Sequence, residues 1–435
     1  MTPWDAHDWW TFAVSAIGNT ACALVGCALM LRRLALLGDA VSHAVLPGIA
    51  VAYLVVGRVH PLATVVAAAF VGVLVAWLVE RLQSLGKVAE DASLGIVFTS
   101  LFAVGVVLIH RFAENVDLDP GCVLFGSLEL AALDFVQIKL PGVPGSVVAP
   151  RSLVFLTLGL LVVLVAFGLF WKEWKLTAFD PALAAAMGFH PRRLHYLLMA
   201  LASVVAVVSF ESVGSILVVA MMVVPPATAR LLVDGYGPTF AWSAVLAVMV
   251  SATGHALAVS LNANEAGSCA TAAGAILALA VLFSPRHGLV VKAVRRFRLA
   301  LDVAAQDILG GLYREEERGA APIPLPRATN WREAFARRLL LRRGLATEEG
   351  NALRLTPKGR DAGLSVVRAH RLWETYLDQN FALPTDHLHE PAHRIEHVLG
   401  PTLQRQLEDV LEHPHEDPHG RVIPEPTETP KPIDS

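Results

Sequence analysis

From Trp10 to about Leu289 the chain is a succession of apolar runs near 20 residues long. A helix needs about that length to cross roughly 30 Å of hydrocarbon, so this part reads as an all-α polytopic membrane domain. Candidate spans fall at roughly 11–31, 40–57, 60–79, 92–110, 151–171, 194–210, 213–233, 239–261 and 269–289. That makes nine, or eight, because 194–233 contains Glu211 and the pair Pro225-Pro226. Composition agrees: 17% of residues are charged, against about 25% in soluble domains. From Arg295 onward the chain is charged, rich in histidine and free of such runs. The expected organisation is a membrane domain over 1–298, a small soluble domain over 299–424, and a tail over 425–435. Pro426, Pro430 and Pro432 predict disorder in that tail.

Basic residues flanking the spans set orientation. Arg32 and Arg33, Arg81 and Lys87, Lys172 and Lys175, and the Arg286–Arg298 group share one side if nine crossings are made. The N-terminus is then outside and the soluble domain cytoplasmic, with Arg111 the single dissent. Met1–Trp10 lacks the basic start and small-residue cleavage site of a signal peptide. Trp4, Trp9 and Trp10 read as an interfacial aromatic belt. Cys22, Cys27, Cys122 and Cys269 all fall in the apolar part without a CxxC pair; they read as small packing residues. The net charge of -3 argues against a polyanion-binding protein. Cys122–Leu133 suits a short re-entrant or interfacial helix.

Few polar residues interrupt the apolar part. Asp39 and His43 are four apart, so on a helix they share a face and can hold one divalent cation. An N-cap role for Asp39 after Gly38 fits the spacing equally well. Glu211 reads as a solvated turn, His255 as a packed histidine, and Asn262, Asn264 and Glu265 as a loop. On the basic side, Asp180 then Pro181 is a helix start; Ala182–Met187 continues it and Gly188 stops it. No GxxxxGK[ST] run occurs, so the chain has no loop of that kind to cradle ATP phosphates. A transporter subunit is expected, not an enzyme.

In the soluble half, Leu299–Arg318 reads as an amphipathic helix, and Pro322, Pro324 and Pro326 as a stiff linker. Trp331–Arg343 is a basic helix, Leu353–Thr356 a short strand, Pro357–Phe381 a long helix, and Glu390–Leu411 a further helix or pair. His370 and Glu374 are i,i+4, and His389, His393, Glu396 and His397 recur at helical spacing. Imidazole with carboxylate suits manganese, iron or zinc and leans away from copper(I).

The run Gly38-Asp39-Ala40-Val41-Ser42-His43-Ala44-Val45-Leu46-Pro47-Gly48 resembles the signature of the manganese/zinc/iron-chelate permeases of ABC importers. The likeness continues through Glu90-Asp91-Ala92-Ser93-Leu94-Gly95, Phe179-Asp180-Pro181, Val213-Gly214-Ser215, Pro225-Pro226-Ala227-Thr228 and Leu282-Phe283-Ser284-Pro285. It implies a cobalamin-importer-like permease fold in the inner membrane, with Asp39 and His43 on the metal path. It also implies that Phe179, Asp180, Pro181, Ala182, Met187 and Gly188 couple to an ATPase. The implied partners are an ATP-binding subunit, an extracytoplasmic solute-binding protein and a second permease copy.

Residues 300–424 resemble the iron-dependent repressor family, through Leu355-Thr356-Pro357-Lys358-Gly359-Arg360, Val367–Glu374, His389–Leu399 and Pro418-His419-Gly420-Arg421-Val422-Ile423-Pro424. The resemblance implies one metal site at His370, Glu374 and His389 and another at Asp307, His393, Glu396 and His397. His393 stands where iron-responsive members carry cysteine and manganese-responsive ones glutamate, which leaves the metal open. Between Tyr313 and Leu353 there is too little chain for a full winged helix-turn-helix, so a reduced remnant is expected, and DNA is not an expected partner. The alternatives are a membrane-tethered metal-dependent transcription regulator and an ATP-independent metal transporter.

Overall fold

The computed structural model describes residues 4–34, 38, 40, 44, 46–56, 61–112, 126, 128–138, 147–319, 331–350, 352–381, 383–384 and 387–426. The chain divides into two compact units, Met1–Val291 and Lys292–Ser435.

In the first unit, eight helices among the described residues are long and apolar enough to cross a membrane. They lie within α1 (Ala6–Leu31), α3 (Pro61–Gly86), α4 (Glu90–Phe112), α5 (Arg151–Leu169), α8 (Pro191–Val213), α9 (Ser215–Leu232), α10 (Tyr236–Leu261) and α11 (Glu265–Phe283). Between α1 and α3 lies α2 (Leu46–Val56), eleven apolar residues and too short to cross alone. Helices α6 (Trp171–Phe179) and α7 (Pro181–Ala186) are short elements between α5 and α8.

Residues 194–233 form two helices. The chain breaks at Gly214, whose φ of 81° a side chain would strain. Pro225 and Pro226 sit buried inside α9 without ending it; packed neighbours make that tolerable at membrane depth. Glu211 falls in the last turn of α8, inside a helix and not in a loop.

Helix α1 is the hub of this unit, and 15 of its residues are buried. It packs against α9 so closely that a Cβ on Gly26 would lie 1.9 Å from the Met222 carbonyl oxygen. With lipid tails as apolar as leucine, such small-residue approaches supply the van der Waals contact that holds membrane helices together. Large apolar side chains such as Val55, Leu62, Val66 and Phe70 remain exposed, as a lipid-facing surface requires.

A small antiparallel hairpin, β1 (Phe135–Ile138) with β2 (Val147–Pro150), runs in register from Phe135↔Pro150 to Ile138↔Val147. The sequence reading placed no strand there. Of the short helix expected at Cys122–Leu133, the described part is one helical turn at Leu128–Ala131.

The second unit is reached along α12 (Leu289–Glu317), followed by α13 (Trp331–Arg342), a hairpin of β3 (Ala346–Glu349) and β4 (Ala352–Leu355), and α14 (Pro357–Asn380). Its first core joins Ala305, Leu309 and Leu312 to Ala336, Leu340, Ala346, Leu353 and Leu355. Thr356 caps α14 by accepting the Gly359 N–H, with Pro357 at the first helical position. Two short helices follow, α15 (His389–Ile395) and α16 (Pro401–Val410). The chain after α16 is tied to α14 by two buried arginines. Arg371 donates to the Val422 carbonyl at 2.6 Å and to both Glu317 carboxylate oxygens at 3.0 and 2.6 Å, while Arg368 donates to the Pro424 carbonyl.

Candidate metal centres and coupling segment

Asp39 and His43 lie outside the described residues. The segment expected to couple, Phe179–Gly188, folds as a capped helical turn. The Asp180 carboxylate accepts the Ala182 and Leu183 N–H groups at 3.0 and 2.9 Å, satisfying two of the free donors that open α7. Met187 closes the helix, and Gly188 turns the chain at φ 86°. Phe179, Leu183 and Met187 are 64%, 48% and 62% exposed, an apolar ridge on a rigid turn. Just upstream, Arg32 at the end of α1 donates to the Thr177 hydroxyl of α6. Arg32 and Thr177 border a cleft of about 400 Å³, which Glu80, Pro181, Arg192 and His195 also line.

The seven acidic and histidine residues expected as ligands in the second unit gather into two groups. In the first, His370 Nε2 lies 2.9 Å from His389 Nδ1 and 3.0 Å from Glu374 Oε1, and His389 Nδ1 lies 3.1 Å from the same oxygen. An ion bound at about 2.1 Å with ligands at right angles spaces neighbouring donors about 3.0 Å apart. The triangle has that size. Helix α14 supplies His370 and Glu374 one turn apart, and α15 brings His389 across.

In the second group, α12 supplies Asp307 and α15 with its C-cap region supplies His393, Glu396 and His397. Asp307 Oδ1 lies 3.2 Å from His397 Nε2 and 3.8 Å from His393 Nε2. Glu396 Oε1 lies 2.9 Å from His393 Nδ1 and 3.7 Å from His397 Nε2. Asp307 Oδ1 is buried and makes no hydrogen bond. A cation would satisfy it.

Glu396 joins the two groups. Its second oxygen lies 2.6 Å from His370 Nδ1, while His370 Nε2 faces the first group. A carboxylate behind a ligating imidazole orients the ring and strengthens it as a ligand. Burial disfavours the charged form of His370, yet Glu374 and Glu396 outweigh it and raise its pKa above the ordinary 6.5. Burial likewise pushes Glu374 and Glu396 upward, but the facing imidazole holds both below 4.5.

Two further residues enter the geometry. His397 Nδ1 lies 2.9 Å from the Gln306 side-chain oxygen, and a carbonyl there accepts the Nδ1 proton and leaves Nε2 free toward Asp307. His419 Nε2 lies 4.0 Å from Glu374 Oε1. The first was hidden because an amide is not a ligand type. The second belongs to the Pro418–Pro424 motif but lies far along the chain from the others.

Eight apolar helices and a capped, apolar-ridged turn between them define a multi-pass membrane protein of permease architecture. The ABC 3 transport family model matches residues 9–143 and 145–284, and the chain belongs to that family. A second model, the iron dependent repressor, metal binding and dimerisation domain, matches residues 356–425. The zinc transport system membrane protein TroD of Treponema pallidum is 38% identical, over 80% of this chain and 95% of its own length. The manganese transport system membrane protein MntD of Bacillus subtilis is also 38% identical, over 67% of this chain and 96% of its own. A solved structure, PsaBC from Streptococcus pneumoniae in complex with Fab, covers 65% of this chain and 94% of that one at 26% identity, with a TM-score of 0.54.

Proposed function

We propose that this chain is the permease subunit of an ATP-driven importer of divalent transition metal ions, with a cytoplasmic domain that senses the same class of ion. The observation that carries the first part is the family match over 9–143 and 145–284, together with relatives named as zinc and manganese transport membrane proteins. Manganese and zinc are therefore the leading substrates, with chelated iron named for a further relative. Asp39 and His43, four positions apart in the sequence, are the carboxylate and imidazole assigned to the ion's path. The α7 turn presents Phe179, Leu183 and Met187 to a separate ATPase. A second permease copy and an extracytoplasmic binding protein complete the assembly.

We put the domain boundary at 298/299, a few residues past the division between the two compact units, and infer from the basic residues that follow the last span that the second domain is cytoplasmic. The donor sets fit a divalent ion held by His370, Glu374 and His389 and another held by Asp307, His393, Glu396 and His397. Held by these residues, such an ion would link α12, α14 and α15 electrostatically. The residues themselves position one another through Glu396 and Gln306. Sensing then acts as a brake, because occupancy stabilises one arrangement of the domain over others.

The test is reconstitution. Purified chain with a candidate ATP-binding subunit in vesicles should take up manganese or zinc only with ATP, and Asp39→Ala/His43→Ala should abolish uptake. ATP-independent uptake would sink the importer reading. For the brake, His370→Ala/His397→Ala should keep transporting at internal metal levels that stop the wild type; equal inhibition of both would sink it.

A further inference from the structure

His255 is almost fully buried, with its side chain 3% exposed, and its ring sits between two carboxylates. On one side Nδ1 lies 3.0 Å from both oxygens of Glu265, the first residue of α11, itself 4% exposed. Expected as a loop residue, Glu265 is in fact a buried helix start. On the other side Nε2 faces Asp8 Oδ1 of α1 at 3.8 Å. The other Asp8 oxygen is engaged as acceptor of the Asp5 N–H. Trp4 covers the ring edge-on, at 4.7 Å between centroids. Among the described residues, Nε2 has no hydrogen-bond partner and neither carboxylate has an arginine or lysine ion pair.

The distances discriminate between a proton and a larger cation. A carboxylate on Nδ1 accepts its proton, so Nε2 presents either a lone pair or a second N–H. A charge-assisted N–H···O bond closes to about 2.7–2.9 Å, and 3.8 Å leaves such a bond unmade. A metal with bonds of about 2.0–2.1 Å to imidazole and carboxylate bridges donors up to about 4.2 Å apart. Glu265 then occupies the place behind a ligating histidine that fixes tautomer and ring angle.

We propose that His255 Nε2 and Asp8 Oδ1 form a divalent transition-metal site, for an ion of the zinc or manganese class, with Glu265 as its positioning residue. Water or neighbouring carboxylate oxygen completes the coordination. The site lies near the N-terminal end of α1. Arg32 and its Thr177 contact lie just past the other end, about 36 Å away along a helix rising about 1.5 Å per residue. It therefore sits on the face away from α7, where imported ions arrive under the orientation proposed above. It shares no residue with Asp39, His43 or the two centres of the second unit.

The experiment is a metal count on the full-length chain in detergent, stripped with chelator, re-equilibrated with zinc or with manganese alone, and analysed by elemental mass spectrometry. His255→Ala and Asp8→Asn should each bind one ion per chain fewer than wild type. Glu265→Gln should keep the ion at 10- to 100-fold weaker affinity. Asn at position 8 retains a side-chain oxygen for the helix cap, so Asp8→Asn carries the test even where His255→Ala fails to fold. Unchanged stoichiometry with both ions in Asp8→Asn would overturn the proposal and leave an imidazolium ion pair only. Because the readout is binding, failure of transport does not affect it.

Discussion

Replacing Glu396 by Gln tests whether the two centres of the second unit work as one. Glu396 gives one oxygen to the Asp307–His393–His397 group and the other to His370 Nδ1, 2.6 Å away. The variant removes a direct ligand from one centre and only a supporting carboxylate from the other. Loss of such support costs roughly 10–100-fold in metal affinity, or about 1.4–2.7 kcal/mol. Loss of one of four donors should reduce the second centre to negligible occupancy at metal concentrations that saturate the wild type. Calorimetric titration of the metal-free full chain with manganese and with zinc resolves both effects. Glu390→Gln serves as control, because Glu390 is exposed and, among the described residues, pairs with Arg394 across one turn. Expected are wild-type isotherms for the control, and for Glu396→Gln a lost class of sites together with a weakened one. A remaining class at full wild-type affinity would refute the link through His370.

Three other outcomes follow from the same geometry. The metal-free second unit should be most stable between about pH 4.5 and 6.5. His370, with its raised pKa, contributes below its unfolded value of 6.5 and stops contributing as pH rises through the folded one. Glu374 and Glu396, with lowered values, contribute above 4.5 and stop as pH falls through theirs. Thermal melts of wild type and His370→Ala, stripped of metal, should therefore diverge near pH 6 and converge at alkaline pH; a constant offset would contradict this. Met187→Asp places a charge on the exposed ridge of α7 without touching the Asp180 cap. It should abolish copurification with the ATPase while metal binding stays unchanged. Gly26→Leu drives a side chain into the Met222 carbonyl, 1.9 Å from where its Cβ must stand, and should leave little folded protein by size exclusion in detergent.

What the sequence made legible follows from how each feature is encoded. Membrane spans are written in local composition, so each of the eight long helices among the described residues overlaps an expected span; of the ninth, expected at 40–57, the described helix is the eleven-residue α2, and Asp39 and His43 lie outside the described residues. The Asp180-Pro181 start of α7 was equally legible, because a cap and an N1 proline act on their own next few residues. The seven residues that gather into two groups in the second unit were legible because histidine and carboxylate at helical spacing, together with the family likeness, are one-dimensional signals. Gln306 is a different case. Its amide matters only because α12 passes His397, 91 positions later, and nothing in its own neighbourhood marks it. The same limit produced the misreading of Glu265. Flanked by Asn262 and Asn264 it looks like a polar turn, and Asn264 does cap α11 by accepting the Gly267 N–H. What buries Glu265 is the hairpin of α10 and α11, which folds it against His255 and brings both under Trp4 and Asp8 from the far end of the unit. A buried carboxylate is costly unless paired, so its pairing is a property of three helices meeting. No pattern along one strand of sequence carries that information. That is why the most unusual cluster of the membrane unit lay in two residues, one read as packing and one as loop.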